Sequence, residues 1–266
     1  MMTRIVIGQY YPSNSVIHRL DPRIKLLGIM FYITALFFVT NFIGYGVAAV
    51  FLLVMVKIAK VPLLFLFRGL RTILFILCFA VILNLFMTPG ENVIFAVGFL
   101  RLTMEGVYMA GQMAARLVLL ITGSSILTLT TSPIQLTDGV EALLKPLKII
   151  KVPAHDIAIM MTIALRNIPT LAEEMDKIMK AQKARGADLD TGGLIKRAKS
   201  LLPILIPLFV SAFKRADELA TAMEARCYRG DMGRTRMKVM KIAKPDILAL
   251  AVLAIYGTLL FLTRLL

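Results

Sequence analysis

The 266-residue chain has only two cysteines and two histidines. Cys78 falls inside an apolar run and Cys227 inside a basic region, so neither a disulfide framework nor a thiolate metal site is expected. His18 and His155 stand apart, each beside a single acid (Asp21, Asp156), which reads as helix-start or interface polarity and not as a catalytic cluster. Acidic residues are also scarce: 16 against 31 Lys and Arg, a formal net charge of +15. No Gly-x-x-x-x-Gly-Lys-Ser/Thr phosphate loop is present, so this chain is not expected to be an ATP-hydrolysing enzyme or to hold a cofactor. No small-residue cleavage site follows a short apolar core, so no removable signal peptide is expected. On a soluble protein the charge would suggest nucleic acid, but no aromatic-rich basic strand or nucleic-acid motif supports that partner.

Apolar residues are what the chain has most of. They make up 58% of it, and the mean hydropathy is +0.79. The runs are continuous rather than alternating, which points to membrane helices and away from a barrel. Leu26 to Val56 contains no charge. As one helix it would be about 46 Å long at ~1.5 Å per residue, against the roughly 30 Å of a bilayer core. Asn41-Phe42-Ile43-Gly44-Tyr45-Gly46 supplies a turn near its middle, so two short spans are expected, at about 24–40 and 44–60. A third run follows Arg68 and Arg71, from Thr72 to Thr88, and a fourth occupies 103–131. Val93–Leu100 is too short to cross and reads as a hairpin or a re-entrant piece. The fifth run is 246–263. The fourth carries Arg116, read either as a functional charge or as one paired with Glu105 or a backbone carbonyl. It also carries Gly123-Ser124-Ser125 on an expected helix-packing face.

The basic residues set the orientation. Residues 132–245 hold 20 of the 31 Lys and Arg, and the short connection after the second span holds Lys57, Lys60, Arg68 and Arg71. The turn at 41–46 holds none. Five spans with a cytoplasmic N-terminus put every basic segment inside, where it also meets anionic lipid headgroups. The expected domains are a transmembrane region of about four spans (1–131), a cytoplasmic helical insert (132–245) and a last transmembrane helix (246–266).

The insert has helical periodicity. Ile157, Met160, Met161, Ala164, Leu165 and Ile168 recur on one face. Pro169 either kinks this helix or starts another. From Thr170 to Arg185 the pattern is amphipathic, and Gly186 with the Asp190–Gly193 turn stops it. Leu201–Phe213 reads as a shallow interfacial helix that runs into 214–229. Each half carries an Ile-Pro step (Ile168-Pro169, Ile206-Pro207), and each ends in Ala-Arg-small: Ala184-Arg185-Gly186 and Ala225-Arg226-Cys227. An arginine between small residues can enter a groove deeply, where its planar fork meets a carboxylate or carbonyls. Met175, Met179 and Met223 add adaptable apolar surface. The plain alternative is an ordinary basic C-terminal turn with an ordinary stop signal.

Five segments together resemble the transmembrane T component of energy-coupling factor transporters, ABC-class importers of vitamins and metal ions. They are His18–Leu26 (HRLDPRIKL), Thr130-Thr131-Ser132-Pro133, Leu165–Leu171 (LRNIPTL), Ala181–Gly186 (AQKARG) and Ala222–Tyr228 (AMEARCY). The resemblance implies an all-α polytopic protein of a prokaryotic cell membrane, with about five transmembrane helices and a cytoplasmic helical coupling module inserted before the last span. It implies two ABC ATPase subunits as partners, docking on Ala184-Arg185-Gly186 and Ala225-Arg226-Cys227, and a separate small membrane subunit that binds the substrate. Cys227 stands where the family's motif has glycine, which puts a glycine-dependent turn there in doubt. The competing reading is a self-sufficient permease, for which Arg116, Asn84 and the Gly123–Ser125 patch are the polar candidates.

Overall fold

In the computed structural model, which describes residues 10–88, 93–97, 100–146, 153–187, 193–230 and 242–265, helices begin where their caps place them. Asp21 accepts from the Arg23 N–H and Pro22 sits at the first helical position, so α2 (Pro22–Phe37) starts there, after the short α1 (Val16–Arg19). Thr103 caps α5 (Met104–Thr130) by accepting from the Gly106 N–H. Ser132 and Gln135 form a reciprocal capping box, each backbone N–H donating to the other's side-chain oxygen, and this opens α6 (Pro133–Leu144). The Thr-Thr-Ser-Pro segment therefore turns the chain from α5 into α6.

The described residues divide into two units, with the division falling inside α6 between Val140 and Glu141. The first contains α1, α2, α3 (Phe42–Ala59), α4 (Leu63–Met87), α5 and α9 (Lys244–Leu265). A two-stranded antiparallel hairpin, β1 (Val93–Val97) and β2 (Leu100–Thr103), links α4 to α5 with Val97 opposite Leu100. α2, α3 and α4 pack on α5, and α9 closes on α2 and α3. At that closure Phe51 and Tyr256 stack at 4.2 Å, with Tyr32 against Tyr256 at 5.8 Å. A Cβ on Gly123 would come within 2.4 Å of the Tyr32 ring, so the glycine is what lets α2 and α5 meet.

This unit is that of an α-helical membrane protein. α3, α5 and α9 are long and apolar enough to cross a bilayer. α4 would make a fourth crossing, although it bends by 60° between Leu63–Arg71 and Ile73–Met87. The bend falls where Arg68 and Arg71 give way to the apolar run, so the helix starts nine residues earlier than the hydropathy suggests. α2 has 16 residues, just short of the roughly 17–25 that a crossing takes. The expected total of about five spans thus depends on α2 and on the bent α4. The outer faces of these helices are apolar; Phe75 and Met87 are at least three-quarters exposed.

The second unit holds α7 (Ala154–Ala184) and α8 (Leu194–Ala225). Both continue through their prolines. Pro169 lies inside one long α7 and starts no new helix, and Pro203 and Pro207 lie inside α8, so the helix expected at 201–213 does run into 214–229 but begins earlier, at Leu194. Residues 163–171 and 212–223 line one groove, Glu174 bonds Ser211 and Arg215, and Gln182 bonds Pro203. The numbers rise on one helix as they fall on the other, so the pair is antiparallel.

Candidate functional site

The two Ala-Arg-small segments have the same backbone. Arg185 caps α7 at φ −84°, ψ 8°, and Arg226 caps α8 at φ −91°, ψ 12°. The next residue takes the left-handed conformation in both cases: Gly186 at φ +83° and Cys227 at +55°. Gly186 N–H then donates to Lys183 O and Ala187 N–H to Gln182 O, each at 3.0 Å. In the second motif Cys227 N–H donates to Glu224 O at 2.8 Å and Tyr228 N–H to Met223 O at 3.0 Å. Both are therefore complete Schellman motifs, bond for bond. The turn that glycine makes easily is made at Cys227 despite its side chain, so the departure from Ala-Arg-Gly leaves the cap intact.

Both arginines are exposed, as are Ala184, Gly186, Ala225 and Cys227. The structure does not bring the two motifs together. Gln182, one turn before Arg185, bonds to Pro203 of α8, and 23 residues of α8 separate Pro203 from Arg226. The two arginines are thus about 35 Å apart along the helix pair. Every cap bond is made by backbone, so neither guanidinium is needed to end its helix.

Arg116, Gln112, Asn84 and the two serines of the first unit have structural partners. Arg116 donates through Nε to Tyr45 Oη at 3.0 Å and through Nη2 to Val39 O at 3.1 Å, and Phe37 and Tyr45 lie under its guanidinium. Gln112, one turn earlier on α5, donates to Thr40 O. Together they hold the carbonyls of the turn between α2 and α3, so Arg116 is paired with a backbone carbonyl and not with Glu105. Asn84 bonds Ala80 O and Met113 Sδ, and Ser124 and Ser125 bond back into α5.

The His18–Leu26 motif is a junction. His18 Nε2 donates to Tyr11 O at 2.9 Å, since a carbonyl can only accept, and Nδ1 shares a hydrogen bond with Ser15 Oγ at 2.7 Å. Lys25 donates to His18 O and Thr130 O, tying α2 to the end of α5. Asp246 is 2% exposed and accepts from the backbone N–H groups of Asp21 and Ala243, at 2.9 and 2.8 Å. It fixes the start of α9 to the start of α2. Nothing local in the sequence signals that Asp246 has a partner 225 positions away. Glu174 was equally silent: it accepts from Ser211 Oγ and from Arg215 Nη2, the latter at 3.3 Å. Only the i, i+4 spacing of Ser211 and Arg215 hints at a shared target.

Residues 13–239 match the family model described as CbiQ, cobalt transport protein. The chain belongs to this family. It is 56% identical over 250 residues to the energy-coupling factor transporter transmembrane protein EcfT of Clostridium kluyveri, covering 94% of this chain and 93% of the relative. Identity to EcfT of Ruminiclostridium cellulolyticum is 53% over 258 residues, covering 97% and 96%. For EcfT of Bacillus subtilis it is 45% over 264 residues, covering 99% and 100%. These relatives are named as transmembrane components of transporters and not as enzymes. The family accounts for the apolar helices of the first unit, and the chain is a transmembrane component of the energy-coupling factor class.

Proposed function

We propose that this chain is the energy-coupling scaffold of an importer for vitamins or other micronutrients. Two ABC ATPase subunits dock on the cytoplasmic helix pair, one at Ala184-Arg185-Gly186 and the other at Ala225-Arg226-Cys227. A small substrate-binding membrane subunit sits against the apolar faces, and ATP-driven movement of the ATPases is carried by α7 and α8 to tilt it. The observation that carries this reading is the matched pair of caps. Two exposed arginines, each free of any cap duty, stand on the same Schellman backbone at opposite ends of one antiparallel pair. A helix end needs no arginine there, and a repeated presentation suits two related sockets. Arg116 and Asn84, which a self-sufficient permease would use, are engaged in holding turns and helices.

Charge reversal tests the docking. Since the caps are backbone-only, Arg185→Glu and Arg226→Glu leave the helices folded, and each puts an acid where a socket accepts a cation. Each should lower the ATPase co-purifying in mild detergent by roughly tenfold, and the double variant should lose it. Full retention of both ATPases by the double variant, with uptake intact, would refute the assignment.

A further inference from the structure

Between the two docking arginines lies a charged attachment of α7 to α8. Glu174 uses both carboxylate oxygens there, accepting from Ser211 Oγ on one and Arg215 Nη2 on the other. Ser211 and Arg215 are one turn apart, so a single α8 face grips one α7 side chain. Eleven residues separate Glu174 from Arg185, and eleven separate Arg215 from Arg226. At 3.6 residues per turn that is about three turns, or about 16 Å, on each helix. Each docking arginine therefore emerges on nearly the same helix face as the clamp residue of its own helix. Because the helices are antiparallel, the clamp divides the pair into two arms of equal length that point opposite ways.

The packing beside the clamp is loose. Toward the Arg226 end a groove of about 230 Å³ opens between Ile163, Asn167 and Leu171 on one side and Ala212, Ala216 and Ala220 on the other. The three alanines leave room between the helices, with Leu219 and Met223 the large apolar α8 side chains that border it. Toward the Arg185 end the attachment is Gln182 Nε2 to Pro203 O. That carbonyl is available because Pro207, four residues on, has no N–H to give it. One more feature fits a joint: Arg215 Nη1 is buried without a hydrogen-bond partner, a spare donor beside the carboxylate.

We infer that the Glu174–Ser211–Arg215 clamp is the pivot about which the two docking arms turn. Glu174 and Arg215 are positioning residues: they touch no substrate and set how displacement of one arginine is passed to the other arm. This rests on the docking reading above. It concerns transmission rather than attachment, so the two can fail separately.

The test uses the whole complex purified with its ATPases, in a Cys78→Ser, Cys227→Gly background. Spin labels are placed through Ala181→Cys and Ala222→Cys, both on exposed positions one turn before the docking arginines. The probe is a non-hydrolysable ATP analogue, and the readout is the change in label separation it produces. Glu174→Ala and Arg215→Ala should each cut that change at least twofold while the retained ATPase stays within twofold of the parent. The reciprocal swap, Glu174→Arg with Arg215→Glu, should restore most of it, which distinguishes a pivot from a general loss of structure. An undiminished change in the single variants, or no recovery in the swap, would overturn the pivot. ATPases that do not accompany even the parent chain would instead sink the docking reading, before any clamp variant is made.

Discussion

Cys227 is the residue at which family pattern and physical chemistry pull apart. A left-handed backbone costs an L-residue about 1–2 kcal/mol, which glycine escapes, although glycine returns roughly 0.5–1 kcal/mol through its freedom in the unfolded chain. Cys227→Gly should therefore stabilise the end of α8 by about 0.5–1 kcal/mol. A small rise in thermal midpoint with unchanged ATPase retention is the expected result. The second residue-scale case is Asp246. Removing its carboxylate strands two buried N–H donors, each worth about 1–3 kcal/mol when unsatisfied. Asp246→Ala should lower stability by about 2–4 kcal/mol, read as a falling unfolding midpoint in detergent, whereas Arg185→Ala should leave it unchanged. A polar surface role for Asp246 would give no such contrast.

Elements were more legible than the pairings between them. Gly186 is read as a helix stop, Asp21 as helix-start polarity and 103–131 as one run, by chemistry that acts within a few residues, and α7, α2 and α5 have ends there. The short Val93–Leu100 piece forms a hairpin, one of its two readings. The prolines left one boundary open: Pro169 could kink a longer helix or start another, because a proline deletes one backbone bond. Over helices of 31 and 32 residues that loss is a small fraction, and packing of α7 on α8 carries the helix through. Arg116 stays open in the sequence because a charge within an apolar helix reads alike whether it serves a substrate or a turn. Only the position of Val39 O decides it. Glu174 and Asp246 were invisible for the same reason, since their partners lie 37 or more positions away. The prolines also have a consequence for the pair: Pro207→Ala supplies an N–H to Pro203 O in competition with Gln182. It should stiffen α8 and slow hydrogen exchange across residues 203–211, and unchanged exchange there would contradict this use of the freed carbonyl.

At the scale of the molecule, the first unit is a membrane bundle built around α5, and the second is an antiparallel helix pair with a matched arginine at each far end. Membership in the transporter family fits the bundle; the matched ends point to partners for the pair. Among the described residues, Lys25, Asn84, Arg116 and Asp246 use their polar groups to join helices and turns, which supports the proposed scaffold role. The most direct test is to isolate the tagged chain from its own membranes in mild detergent and identify by mass spectrometry what accompanies it. The expected result is two ABC ATPases together with at least one small, strongly apolar protein. A chain recovered alone, under conditions that keep other membrane complexes together, would contradict the coupling role.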